Sequence, residues 1–124
     1  MAGVSPATFN PTHPIKRGQD WSFEATFKDP GGNPLNLTGW TVAAQAWSGE
    51  VQSDGTIQRT TKLADFVVTF PSGVTAGVVK FALTKTQTPV LLDETYYDVA
   101  LTDTSTIKEF YLEGILPVEE GYTR

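Results

Sequence analysis

Residues 15–47 read IKRGQDWSFEATFKDPGGNPLNLTGWTVAAQAW, and this stretch decides the fold class. Within it Trp21, Phe23, Ala25 and Phe27 alternate with Ser22, Glu24 and Thr26. A period of two sends successive side chains to opposite faces of an extended chain, so the pattern predicts a strand over 20–28 with one apolar and one wet face. The next six residues, Asp29-Pro30-Gly31-Gly32-Asn33-Pro34, combine a side chain that caps turns, rings that fix φ and two glycines that accept positive φ. The chain must reverse there. A second strand is expected over Trp40 to Trp47, so that the stretch reads as strand, Gly-rich hairpin and strand.

Working outward, further strands are expected over 55–61, 65–70, 77–84, 96–102 and 107–118, separated by segments rich in Gly, Ser, Thr or Asp. The last two form a hairpin around an acidic turn, with Gly114 marking a bulge. Thr88-Pro89 interrupts the strand pattern; Thr88 as N-cap and Pro89 at the first helical position predict a turn or two of helix. About seven short strands at this spacing predict an all-β antiparallel sandwich. Upstream, Met1 to Pro14 contains Pro6, Pro11 and Pro14 and reads as an extended arm unable to pair regularly in a sheet. Phe9 supplies an anchor, leaving two readings of the arm: a frayed terminus, or a strap across a neighbouring subunit.

At 124 residues the chain has room for one core, so residues 15–118 are expected as a single sandwich domain between the arm (1–14) and a short acidic tail (119–124). Cysteine is absent, which removes disulfides and thiolate metal sites and leaves stability to packing or assembly. No apolar run approaches the roughly 20 residues that span a bilayer, and Met1 to Asn10 has neither the basic nor the apolar region of a signal peptide. No membrane partner is expected. The net charge of −5 resides in the second half: residues 1–62 hold five basic and five acidic side chains, residues 63–124 four and nine. Lys16-Arg17 is the only basic pair, too little to displace counterions from phosphates, which argues against nucleic-acid binding.

Catalytic and metal signals are weak. His13, the only histidine, sits in the proline-rich arm with no nucleophile or base nearby in sequence. Asp98 and Asp103 lie five apart near Asp93-Glu94, a spacing that allows a loop calcium site, but no D-x-D-x-D-G run is present and solvated turn carboxylates are the stronger reading. Glu119 and Glu120 read the same way. Gly31-Gly32 lacks the spacing of a phosphate cradle. Trp40 and Trp47, seven apart in one strand, face opposite sides, so at most one of them shares the core. The outward one marks a contact surface, for protein or carbohydrate. No cofactor or catalytic set is expected.

Four pieces, Arg17-Gly18-Gln19-Asp20, Trp21-Ser22-Phe23, Asp29 to Pro34 and Leu37-Thr38-Gly39-Trp40, together resemble a recurrent pattern in bacteriophage tail and baseplate proteins. Gly77 to Thr84 and Tyr97 to Thr102 are similar to strands of the N-terminal domain of phage baseplate upper proteins and of related tail-fibre β-sandwich domains. The likeness extends over most of residues 15–118. It implies an immunoglobulin-like β-sandwich that docks a fibre or receptor-binding protein in a virion. In that family such a domain usually heads a longer chain; this one ends at Arg124, which keeps a separate adaptor or a capsid decoration protein as alternatives.

The expected function is therefore that of a structural, non-enzymatic virion component, working by contact with other tail, baseplate, fibre or capsid proteins and self-associating, a trimer suiting a fibre or capsid three-fold. The expected interface residues are Phe9 and His13 in the arm, Trp40 or Trp47, and Glu119, Glu120, Tyr122 and Arg124 in the tail. A carbohydrate-binding adhesion module is the competing class, and a small hydrolase has the least support.

Overall fold

The computed structural model describes residues 7–121; Tyr122 and Arg124 lie outside them. Nine strands and one short 3-10 turn make up the described chain. They are β1 (Ala7–Thr8), β2 (Ile15–Lys16), β3 (Trp21–Thr26), β4 (Thr41–Val51), β5 (Ile57–Asp65), β6 (Val67–Thr69), β7 (Val78–Leu83), β8 (Glu94–Thr102) and β9 (Lys108–Glu119). A large sheet runs β1-β9-β8-β4-β5, with β2 also on β9, and a small sheet runs β3-β7-β6. The result is an all-β sandwich with the strand order of an immunoglobulin-like fold, in which the first strand has left the small sheet to lie along the last.

β3 takes the predicted face pattern: Trp21, Phe23 and Ala25 turn inward while Ser22, Glu24 and Thr26 are exposed. The turn after it closes as its residues demand, with Asp29 Oδ1 accepting from Asn33 N at 3.0 Å and Lys28 bridging Pro34. The expected hairpin does not follow. β3 pairs with β7, Phe23 opposite Phe81, whereas β4 joins the other sheet. The reason lies in Leu37: it is buried in the core and its N–H bonds Val74 O, so the chain between turn and β4 crosses from one sheet to the other. A similar switch occurs at Phe66, whose inward ring separates β5 in the large sheet from β6 in the small one.

Aromatic rings bind the two sheets. Phe23 lies 5.2 Å from Phe81, 5.7 Å from Tyr97 and 5.3 Å from Trp21, centroid to centroid. Each such pair contributes about 0.5–1.5 kcal/mol beyond the area it removes from water. Around them Val79, Leu83, Val99, Leu101 and Leu116 complete the core.

Three local expectations are corrected. β4 extends beyond the predicted strand to a tip closed by Gln52 N donating to Thr56 O, and β5 runs on past the predicted end at 61 to Asp65. Thr88 is not a cap but the first residue of the 3-10 turn Thr88–Val90, with Pro89 in its first turn and Gln87 ahead of it. Its buried hydroxyl instead accepts from Gly18 N and donates to Gln19 O, pinning the turn before β3. The irregularity in the last hairpin falls between Val99 and Ala100, opposite Tyr111, and not at Gly114, which pairs regularly with Tyr97.

Gly114 has another task. β1 runs parallel to β9, Ala7 opposite Leu112, and then the arm bends over Gly114, where a Cβ would overlap the Phe9 carbonyl oxygen. That carbonyl accepts from Tyr97 Oη at 2.6 Å, Asn10 Oδ1 accepts from Ile115 N at 2.8 Å, and the Phe9 ring packs 5.2 Å from Phe23. The described part of the arm, residues 7–14, thus neither hangs free nor leaves its own domain. It pairs with β9 at β1, and the chain just after it pairs with β9 again at β2.

Candidate functional site

The outer face of the large sheet carries the polar chemistry. Strand register places Trp47 opposite Tyr96 and Tyr96 opposite Ile115; one row along, Gln45 faces Asp98 and Asp98 faces Glu113. Gly49 of β4 makes room within this layer, since a Cβ there would come within 2.8 Å of the Tyr96 ring. Arg59, opposite Gly49 on β5, reaches across to β8 and β9. Its Nε lies 3.6 Å from Asp98 Oδ2, and its Nη2 lies 3.4 Å from Glu113 Oε2 and 3.3 Å from Tyr97 O.

These contacts are loose, and Arg59 Nε is buried without a hydrogen bond. Trp47 Nε1 is also buried, short of hydrogen-bond geometry, yet its N–H still favours the ionised form of Asp98. Burial is the larger influence on Asp98 and holds its carboxyl above the usual aspartate range, against the pull of Arg59, Trp47 and Lys108. Tyr96 donates to Glu94 Oε1 at 2.6 Å, which pushes its phenol up.

Beside this cluster lies a groove of about 390 Å3. Thr8 and Asn10 of the arm form one wall, Gly55, Thr56 and Ile57 of the β4–β5 tip the other, and Arg59, Glu113 and Ile115 the floor. A guanidinium between two carboxylates offsets one of their charges and presents donors and acceptors to a bound molecule. Neither Asp98 nor Glu113 has a nucleophile hydrogen-bonded to it in a relay.

The residues singled out in sequence are dispersed. Phe9 packs inward on Phe23, though 40% exposed. His13 is exposed between β1 and β2. Trp40 packs against the core and Trp47 lies on the outer face, as their spacing requires. Glu119 pairs with Lys16, and Glu120 with Arg17 at 3.1 Å, so the tail grips the start of the sandwich just after the arm. Arg17 also bonds Asp93 at 2.8 Å and Leu91 O at 2.9 Å. Asp103 is a turn carboxylate, accepting from Ser105 N and Ile107 N. Asp98 is not: it stands mid-strand with Arg59, so the pair does not meet. Among the described residues no group of three His, Cys, Asp or Glu side chains is placed to hold a metal ion.

Sequence reasoning missed Arg59, Glu113, Asn10 and Gly49. Arg59 and Glu113 sit at outward positions of alternating strands, where a charge looks like ordinary solvated surface. Only strand order brings them together. Comparison with protein-family models finds no match to this chain, and a search of curated proteins finds none either.

Proposed function

We propose that this chain is a structural module of a bacteriophage particle, docking tail, baseplate or fibre proteins through protein–protein contacts, with the virion as its place of work and no catalytic role. The observation that carries the reading is where the resembling segments fall. Arg17 to Asp20 forms the turn pinned by Thr88, Trp21 to Phe23 opens β3, Gly77 to Thr84 covers β7, and Tyr97 to Thr102 covers most of β8. The likeness therefore spans both sheets and the turn that links them, and the sandwich is the fold it implies. The outer face of the large sheet, with Trp47, Ile115 and the 45% exposed Phe110, offers a contact surface on a rigid frame.

Mass spectrometry of separated heads and tails from purified particles tests the proposal. Enrichment with tails is expected; enrichment with heads would move the chain to the capsid-decoration reading, and absence from both would overturn it. Self-association, a trimer included, belongs to the same proposal and is read by light scattering. The carbohydrate alternative draws less support, since Trp40 packs against the core and the Trp47 Nε1 is buried within the outer layer.

A further inference from the structure

β1 and β5 are the two ends of the large sheet, yet Thr8 of one and Ile57 and Arg59 of the other line the same groove. Four strand steps of about 4.8 Å would hold them about 19 Å apart in a flat sheet. The sheet is not flat there. The β4–β5 pairing shifts register twice, between Ala46 and Trp47 and between Ser48 and Gly49, and such bulges bend a hairpin. From the other side the arm folds over Gly114. The backbone thus builds a concavity of about 390 Å3, at the lower end of the range of small-molecule sites, about 300–1,000 Å3.

Its lining favours neither sign of charge. Arg59 and Glu113 supply one cation and one anion, 3.4 Å apart. The open edge of β1 points away from β9, which floors the groove, so recognition falls to side chains. Among the described residues nothing bonds Arg59 Nη1, Glu113 Oε1, Asn10 Nδ2 or the Thr8 hydroxyl. Asn10 is fixed by its Oδ1, which accepts from Ile115 N and leaves both Nδ2 hydrogens unused. Donors and acceptors therefore stand together around the apolar side chains of Ile57 and Ile115.

We propose that this groove binds an uncharged saccharide of one or two rings, whose neighbouring hydroxyls bridge Arg59 and Glu113. A hydroxyl both donates and accepts, so a pair on adjacent carbons takes a bond from the guanidinium and gives one to the carboxylate. A neutral ligand leaves the two charges offsetting one another, and hydrogen bonds to charged groups are the stronger kind. The C–H face of a sugar ring suits the two isoleucines. A single amide meets only part of this set, whereas a polyhydroxylated ring also reaches Asn10 and Thr8. Neither Trp40 nor Trp47 lines the groove. The inference does not rest on the docking reading, and its test on the purified chain is a separate result from particle localisation.

The 15N-labelled full chain is titrated with maltose, lactose and diacetylchitobiose, and in parallel with glucosamine, glucuronate and acetylglycinamide. At least one of the neutral disaccharides is expected to move the amide signals of Thr8, Asn10, Ile57 and Ile115 and the Asn10 side-chain amide, saturably. Its affinity should hold as salt rises above about 0.1 M, because no net charge is being paired. Glu113→Gln, which keeps the shape and weakens the acceptor, should lower that affinity about tenfold, and Asn10→Asp, which keeps the bond to Ile115 N and removes the donors, about fivefold. An equal or larger response to glucosamine, glucuronate or acetylglycinamide, signals that move only on another face, no saturable response to any of the three disaccharides, or full affinity in either variant would each overturn the proposal. Should a substitution unfold the chain, the ranking of ligands on the unsubstituted protein still decides it.

Discussion

Tyr97 and Tyr96 are neighbours in β8, and both are almost wholly buried, but by different means. Tyr97 points inward among Phe23, Phe66 and the arm; its hydroxyl bonds Phe9 O, and burial first, then the Glu113 charge, holds its phenol well above the ordinary tyrosine range. Tyr96 points outward, over Gly49 and beside Trp47, covered only by one layer of side chains. Inside, apolar contact on all sides does the burying. Outside, a thin polar layer does it, and charges that would be costly in the core remain close enough to water to persist.

The largest effect should separate the two sides directly. Tyr97→Ala is expected to cost about 3–5 kcal/mol in chemical denaturation, the range for deleting a core aromatic, and Tyr96→Ala about 2 kcal/mol. Equal losses would break the distinction. Next comes the arm: Gly114→Ala drives a methyl into the Phe9 carbonyl, and about 2–3 kcal/mol should be lost as the arm lifts, with faster hydrogen exchange at Ile115 N. Deleting residues 1–14, which would spare a free arm's domain, should here destabilise the fold.

Tyr97→Phe is expected to cost about 1–2 kcal/mol by leaving the Phe9 carbonyl without its donor, whereas Tyr96→Phe should stay within about 0.5 kcal/mol because Glu94 can turn to water. Asp98 gives a finer test of the outer layer. Its folded-state value lies above the unfolded one, so the stability it lends is complete below the ordinary aspartate value and is lost as pH rises through the raised one. Carbon-13 NMR of its carboxyl should show the raised midpoint, and Arg59→Met should raise it further by removing an opposing charge. An unmoved midpoint would mean that Arg59 and Asp98 do not interact. Smallest of all, Lys62→Ala breaks an exposed pair with Asp65 and should change stability by less than about 0.5 kcal/mol.

The inner side was legible and the outer side was not, for a physical reason. Alternation from Trp21 to Phe27 reports which residues avoid water, and it places β3, β7 and β8 and the opposite faces of Trp40 and Trp47 correctly. It carries no information about which strands are neighbours. That is why the turn at Asp29 to Pro34 reads as a hairpin when it is the start of a crossover, and why Arg59, Asp98 and Glu113, 54 positions apart from first to last, read as unrelated surface charges. Gly114 shows the same limit. A glycine inside a strand signals that something needs room, but the visitor, Phe9, comes from the far end of the chain.

That last contact sets an order of events. During synthesis the arm is made well before β9, so Ala7 and Thr8 have no strand to join until almost the whole sandwich has emerged. Until then Phe9 has no completed slot, and the Tyr97 hydroxyl waits for an acceptor. Closing the arm on β9 spans more than a hundred residues, the kind of distant pairing that slows folding. The arm is thus a latch that can shut only on a finished sandwich, and the interval before it shuts is when this chain is most open to pairing with another copy of itself.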